Sequence, residues 1–364
     1  MPYDFAGRFP GRRWVILAAI AGAGLLLLVG LLFSRMGRER RPFMPAPRTE
    51  VLGFYENAWS EDFPSSLPTL KKNAELIDIV SPFWFSVEPD GKVMTRDPSR
   101  EMIAFAGQKD IEVLALVNNL KDRGDPGGSL RSEARRRQVA DTLRDLVNRY
   151  NLGGLVIDFE QLPSSLREEH TDLVAKVASR LRPEGKRIGV AVYPKVDVPW
   201  EVQGVHDYKA LNPLVDFLVI MAYDKHWRSG PPGPIAPLGW TEANLRYALD
   251  KAGIPADKIY LAVGSYAYDW PQGGTAEYIP TREALARAEK YRAKVEWDKE
   301  SRMSNFTYWR NGVKREVWLQ DARYLAPRID LAKRLKVRGI AVWRMAFEED
   351  EYWQVIEDKI GPRR

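Results

Sequence analysis

Residues 153–160 read Gly-Gly-Leu-Val-Ile-Asp-Phe-Glu. The apolar run Leu155-Val156-Ile157 has no polar alternation, the pattern of a strand buried on both faces in a parallel sheet. It ends in Asp158 and Glu160, two positions apart. Side chains alternate along a strand, so both carboxylates leave it on one face. Two carboxylates held that close cannot both ionise cheaply, and one keeps its proton near neutral pH. A general acid requires that property. The plainer reading is an acid pair at a strand end, neutralised by Arg or Lys.

Seven further β-branched runs flank this one, at 50–55, 77–83, 112–117, 187–193, 217–222, 259–263 and 339–343, with 154–159 fourth in order. Between most of them apolar residues recur at three- and four-residue steps, as in 132–150 and 165–181, which predicts helices. Eight buried strands separated by crossover lengths predict an α/β fold, a (β/α)8 TIM barrel over residues 50–357, in preference to an open doubly wound sheet. Active sites of such barrels lie at the C-terminal ends of the strands, where Asp158 and Glu160 fall. The long gap between the seventh and eighth strands holds a helical run at 281–292. It also holds two strand-like runs, 305–310 and 313–318, joined by Asn311-Gly312, a hairpin signal. A small α+β insertion over about 271–320 is therefore expected.

Ahead of the globular part, residues 14–33 (WVILAAIAGAGLLLLVGLLF) carry no charge. As a helix they would span roughly 30 Å, the thickness of a bilayer's hydrocarbon core. Trp14 suits an interface anchor, and arginines flank both ends. The run exceeds the roughly 7–15 residues of a signal-peptide core. We therefore expect a tail at 1–13, one uncleaved transmembrane helix at 14–33 and an Arg/Pro-rich tether at 34–49. The net charge of +6 sits in residues 1–48, and the remainder is neutral. A neutral body argues against nucleic acid as a partner. The chain has no cysteine and three histidines, His170, His206 and His226. No metal site and no cofactor are expected, and His206 and His226 are read as loop residues.

Other strand ends carry aromatic and amide side chains. Tyr55, Trp84, Asn118, Tyr193, Tyr223 and Trp343 end or directly follow the first, second, third, fifth, sixth and eighth runs. Singly, such aromatics are more often core. Arranged around one barrel mouth they predict a carbohydrate cleft, because aromatic faces stack on sugar rings.

With these residues in place, the sequence resembles glycoside hydrolase family 18, the chitinase-like barrels, across 50–355. The family signature D-x-x-D-x-D-x-E is met by Gly153, Val156, Asp158 and Glu160, so its first two acids are absent and the final D-x-E is kept. Met221-Ala222-Tyr223-Asp224 is similar to the family's M-x-Y-D, and Gly339–Trp343 to its strand-eight tryptophan. GPPGPIAPLGW (230–240), YAYDW (266–270) and VWLQDA (317–322) resemble the spore-germination and cortex-lytic branch. The resemblance implies a substrate-assisted retaining mechanism on β-1,4-linked N-acetylglucosamine polymers, an exception to the two-carboxylate scheme. It implies Glu160 as acid and base, Asp158 orienting the acetamide and Tyr223 holding its carbonyl. Asp224 would support the distorted sugar and Trp343 would form the floor beneath it. Val156 leaves Asp158 without the family's usual resting-state partner, which bears on the pH optimum. The expected partner is an N-acetylated polysaccharide, peptidoglycan or another envelope glycan ahead of chitin. Such a substrate places the barrel outside the cell membrane, against an arginine balance that would retain it. The alternative is a non-hydrolytic, lectin-like barrel of the same family; retention of Glu160 favours the enzyme.

Overall fold

The eight apolar runs form one parallel sheet that closes on itself. The computed structural model describes residues 48–58, 64–119 and 124–363. The expected membrane helix at 14–33, its tail and nearly all of the tether lie outside the described residues. Among those described, no helix is long and apolar enough to cross a membrane.

The first strands are β1 (Glu50–Tyr55), β2 (Ile79–Val87), β3 (Val93–Thr95), β4 (Glu112–Asn118) and β5 (Gly154–Asp158). They are followed by β6 (Arg187–Val192), β7 (Phe217–Ile220) and β8 (Ile259–Gly264). After an insertion, the last barrel strand returns at Gly339–Trp343. That strand and β2 both pair in parallel with β1, at Glu50↔Gly339 and Leu52↔Ile79, which closes the barrel. Helices such as Glu133–Arg149 and Arg167–Leu181 make the crossovers. Alternate side chains of each strand fall into two layers. Leu52, Phe54, Leu116, Val156 and Phe217 fill the barrel interior. Val51, Val117, Ile157 and Val190 pack outward with the helical residues.

Two local features set strand position. Gly154 has φ +156°, and a Cβ there would lie 1.9 Å from the Arg187 carbonyl oxygen, so only glycine lets β5 begin against β6. In β2 the register shifts between Phe83 and Phe85, a bulge that carries the strand beyond the expected 77–83 to Val87. β3 then folds back antiparallel on it, a ribbon not anticipated from the sequence.

The insertion is a five-stranded antiparallel sheet, built from β9 (Tyr266–Pro271), β10 (Glu277–Pro280), β11 (Glu296–Asp298), β12 (Met303–Arg310) and β13 (Val313–Leu319). The barrel strand at Gly339–Trp343 is thus β14. The insertion opens at Tyr266 rather than near 271, because Tyr-Ala-Tyr-Asp-Trp continues as a strand with only Ser265 separating it from β8. The helix Thr281–Lys290 packs on one face, against Ala267, Phe306 and Val317. Asn311 (φ 54°) and Gly312 (φ 76°) make the expected tight hairpin turn. Asp269 is wholly buried within the sheet. Its carboxylate is paired with Arg287 and Arg315 and accepts the Tyr308 hydroxyl at 2.6 Å, which satisfies the buried charge.

Candidate active site

Asp158 is the last residue of β5, and Glu160 lies two residues on. Asp158 stands opposite Asn118 in the ladder and is 7% exposed. Its Oδ1 is buried with no hydrogen-bond partner among the described residues. Glu160 is half-buried and held from several sides. The Asn119 side chain accepts the Glu160 N–H at 2.9 Å and donates to its carbonyl at 2.8 Å, so one amide fixes the backbone. The Tyr193 hydroxyl donates to Glu160 Oε2 at 3.1 Å and accepts the Gln161 N–H at 3.0 Å.

Burial is the first cause that lifts the Glu160 carboxyl, to about 7; the Tyr193 hydrogen bond opposes the rise and the Asp224 charge adds to it. Asp158 is raised too, by burial first and then by Glu160. The two titrate as a pair, and the pair keeps a proton near neutral pH. Asp224 follows β7 with φ 59°, a left-handed conformation that Asp tolerates better than most residues. Its carboxylate accepts the hydroxyls of Tyr266 and Tyr268, the latter at 3.2 Å, both from β9. The deep walls around Asp224 push its carboxyl up to about 6. Its side chain is also open to solvent, so this shift is the most easily relieved of the three.

Tyr223 is half-buried and meets the Tyr266 ring edge-on at 6.0 Å. Trp343 closes the interior from above, edge-on to Phe54 at 5.3 Å, and its indole N–H donates to the Tyr278 hydroxyl at 3.2 Å. The strand ends thus gather Asp158, Glu160, Tyr193, Tyr223, Asp224 and Trp343 around one mouth. Asn118 is buried at the same level as Asp158. Its amide donates to the Phe85 carbonyl at 3.1 Å and its Oδ1 accepts the Ser86 hydroxyl at 2.9 Å, so both ends of its side chain are engaged by β2.

Two of the expected cleft aromatics do not join this group. Tyr55 follows inward-facing Phe54 and so turns outward into the layer under the helices. Trp84 follows inward-facing Phe83 and so turns outward, and the β2 bulge then turns Phe85 to the same side. Both belong to packing, not to the cleft. The sequence reading missed Asn119, Tyr266, Tyr268 and Tyr278. The period-two tyrosines of Tyr-Ala-Tyr-Asp-Trp were the available signal, since alternation puts both phenols on one face. Among the described residues, no group of three or more His, Asp or Glu side chains is placed to hold a metal ion.

The family model Glycosyl hydrolases family 18 matches residues 51–348. The sporulation-specific glycosylase YdhD of Bacillus subtilis is 27% identical over 277 residues, covering 73% of this chain and 65% of that protein. The cortical fragment-lytic enzyme of Bacillus subtilis is 25% identical over 331 residues, covering 87% of this chain and 76% of the relative. Among solved structures, the spore cortex-lytic enzyme SleL of Bacillus megaterium superposes with a TM-score of 0.76 at 26% identity, over 87% of this chain and 76% of that one. A Chromobacterium violaceum chitinase shares the fold, with a TM-score of 0.78 at 22% identity over 86% of this chain and the whole of the other. With the family model spanning the barrel and its insertion, this chain belongs to glycosyl hydrolases family 18 and is a glycosyl hydrolase similar to the family's cortex-lytic members.

Proposed function

We propose that the barrel hydrolyses β-1,4-linked N-acetylglucosamine-containing glycan by substrate assistance, with peptidoglycan or a related envelope polysaccharide as the polymer. The observation that carries this reading is Glu160: a half-buried carboxyl raised to about 7, with Tyr193 on one oxygen and Asp158 beside it. A group that holds its proton near neutral pH can deliver it to the glycosidic oxygen and afterwards take one from water. The acetamide of the cleaved sugar attacks its own anomeric carbon. Asp158 then stabilises the positive charge that grows on the closing ring, an electrostatic role. Tyr223 holds the acetamide carbonyl, Asp224 supports the distorted ring and Trp343 forms its floor. The names of the sporulation and cortex relatives support peptidoglycan ahead of chitin. The uncharged stretch 14–33 supports a single-pass anchor with the barrel outside the membrane. Protease shaving of intact cells that spares the barrel would oppose that orientation.

The test is to incubate the protein with chitin oligomers and, separately, with cortex-type glycan, and to analyse the new reducing ends. Glu160→Gln keeps the side chain's shape but cannot supply the proton, and turnover should fall by roughly 10²–10⁴. Substrates de-acetylated at the cleaved sugar should not turn over, because they lack the attacking oxygen. Equal rates on acetylated and de-acetylated oligomers would rule out substrate assistance. Binding of the glycan without any release of reducing ends would favour the lectin-like reading.

A further inference from the structure

His206 lies after β6, between the short helices Trp200–Gln203 and Tyr208–Leu211, and it is wholly buried. The backbone ladder between β5 and β6 runs from Gly154↔Arg187 to Ile157↔Val190 and stops there. Beyond it, β5 runs on into Phe159 and Glu160, and β6 into Tyr193. The His206 ring stands where the next rungs would be. Its Nδ1 accepts the Tyr193 N–H at 3.0 Å, and its Nε2 donates to the Phe159 carbonyl at 3.1 Å. A backbone N–H only donates and a carbonyl only accepts, so the pair of bonds requires a neutral ring with its proton on Nε2.

We infer that His206 is a positioning residue of this site: its imidazole replaces the missing ladder rungs and fixes Tyr193 against Glu160. The inference rests on the reading of Glu160 as the acid. Phe159 precedes Glu160 directly, and Tyr193 carries the hydroxyl that meets Glu160 Oε2. The ring therefore grips both sides of that contact at once. The Tyr208 hydroxyl, donating to the Tyr193 carbonyl at 2.6 Å, holds the same residue from its other end. His170 packs edge-on to His206 at 5.1 Å. Burial, and after it His170 and Lys195, push the His206 pKa well below the ordinary value, which keeps the ring neutral. Burial likewise pushes His170 down to about 4.

The consequence falls on the proton of Glu160. The groups facing Glu160 are Asp158 from its own strand, Tyr193 from β6, and Tyr223 and Asp224 from the end of β7. Of these, the Tyr193 hydroxyl is the one that favours the ionised form. Loosening it should raise the pKa of Glu160 and move the alkaline limb of the pH–rate profile upward. A merely structural defect would lower the active fraction and leave that limb where it was.

The experiment measures kcat, KM and the pH–rate profile of the full chain and of His206→Leu, His206→Gln and Glu160→Gln, with fold checked by circular dichroism. His206→Leu removes both bonds. Its kcat should fall roughly 10- to 100-fold, as for a misplaced catalytic group, with KM little changed and the alkaline limb raised. The His206→Gln amide offers one acceptor and one donor spaced like the ring nitrogens, and should return the limb toward its wild-type position. Folded His206→Leu with wild-type kcat and limb, alongside an inactive Glu160→Gln, would overturn the positioning role and leave the acid assignment standing. An active Glu160→Gln would overturn the acid assignment itself, and the inference with it. A readout on the unmutated protein covers the case in which His206→Leu does not fold. With three histidines in the chain, 15N spectra can resolve each ring. His206 should stay neutral, protonated on Nε2, across about pH 5–8; a ring that titrates there, or one protonated on Nδ1, refutes the proposal.

Discussion

Asp158, Glu160 and Asp224 are three carboxyls at one barrel mouth whose surroundings separate their tasks. Asp158 is the deepest and keeps an unpartnered oxygen, so it is the one with spare capacity for a ligand's N–H. Glu160 has a phenol on one oxygen and a fixed backbone, as suits the proposed acid, which would meet a leaving oxygen in one geometry. Asp224 is braced by two tyrosines from the insertion, and its charge repels that of Glu160. From this arrangement Asp224→Asn should make Glu160 easier to ionise. Removing a negative neighbour stabilises the carboxylate, lowers its pKa and moves the alkaline limb of kcat/KM to lower pH. On the proposed substrate-assisted mechanism, Asp158→Asn should cost rate instead, about 10²–10³-fold, because an amide cannot offset positive charge on the closing ring. A pH–rate series on both variants separates the two effects. An unmoved alkaline limb in Asp224→Asn would show that its charge does not act on Glu160.

At the scale of elements, the strands were legible because a barrel strand is buried on both faces and so reads as an unbroken apolar run. β1 and β14 fall where the sequence places them, and β5 and β6 differ by one residue at their ends. β2 was the least legible, since a bulge adds a residue without changing composition, and it reversed the side on which Phe85 appears. Tyr55 was misplaced for a related reason: proximity to a strand end says nothing about parity, and Tyr55 is one position past an inward residue. The gathering of Tyr193, Tyr223 and Trp343 was legible from strand ends. The tyrosines of β9 were not, because they approach Asp224 from a separate sheet. Gly154 offers a direct test of strand placement. Gly154→Ala puts a methyl 1.9 Å from the Arg187 carbonyl oxygen at a positive φ, and backbone cannot step aside cheaply. We expect a loss on the order of 3 kcal/mol in unfolding free energy. Urea denaturation reads it directly, and a variant as stable as wild type would mean that β5 can begin elsewhere.

Across the whole molecule the buried titratable groups pull stability toward mildly acidic pH. Burial raises Glu56 to about 8, Glu160 and Glu349 to about 7 and Asp224 to about 6. A carboxyl whose pKa is higher in the folded state binds its proton more tightly there. Its contribution is complete below the unfolded pKa of about 4–4.5 and is lost as pH climbs through 6–8. His170 and His206 act oppositely. Their neutral burial contributes above about pH 6.5 and is lost as pH falls toward 4. Asp172, held down against its partial burial by Lys176 and Arg136, and Asp207, held down by the Ala210 N–H and then by Arg167, lose their contribution only at still lower pH. Above about pH 4.5 the raised carboxyls outnumber the lowered histidines, so the thermal midpoint should peak near pH 4–5 and decline toward pH 8. Glu56 should dominate that decline, since both of its oxygens are buried without a hydrogen-bond partner among the described residues. Desolvation raises it first, and Arg344 and Arg96 only partly offset the rise. At pH 7 the folded protein already carries Glu56 as a neutral acid, having taken up a proton that the unfolded chain has released. Glu56→Gln supplies the same neutral side chain without that uptake. It should raise stability at pH 7 by up to about 3 kcal/mol and change little at pH 5. Thermal melts of both proteins from pH 5 to 8 decide the matter. Parallel curves would mean that Glu56 is ionised in the fold, with Arg344 and Arg96 carrying more of its charge than its burial removes.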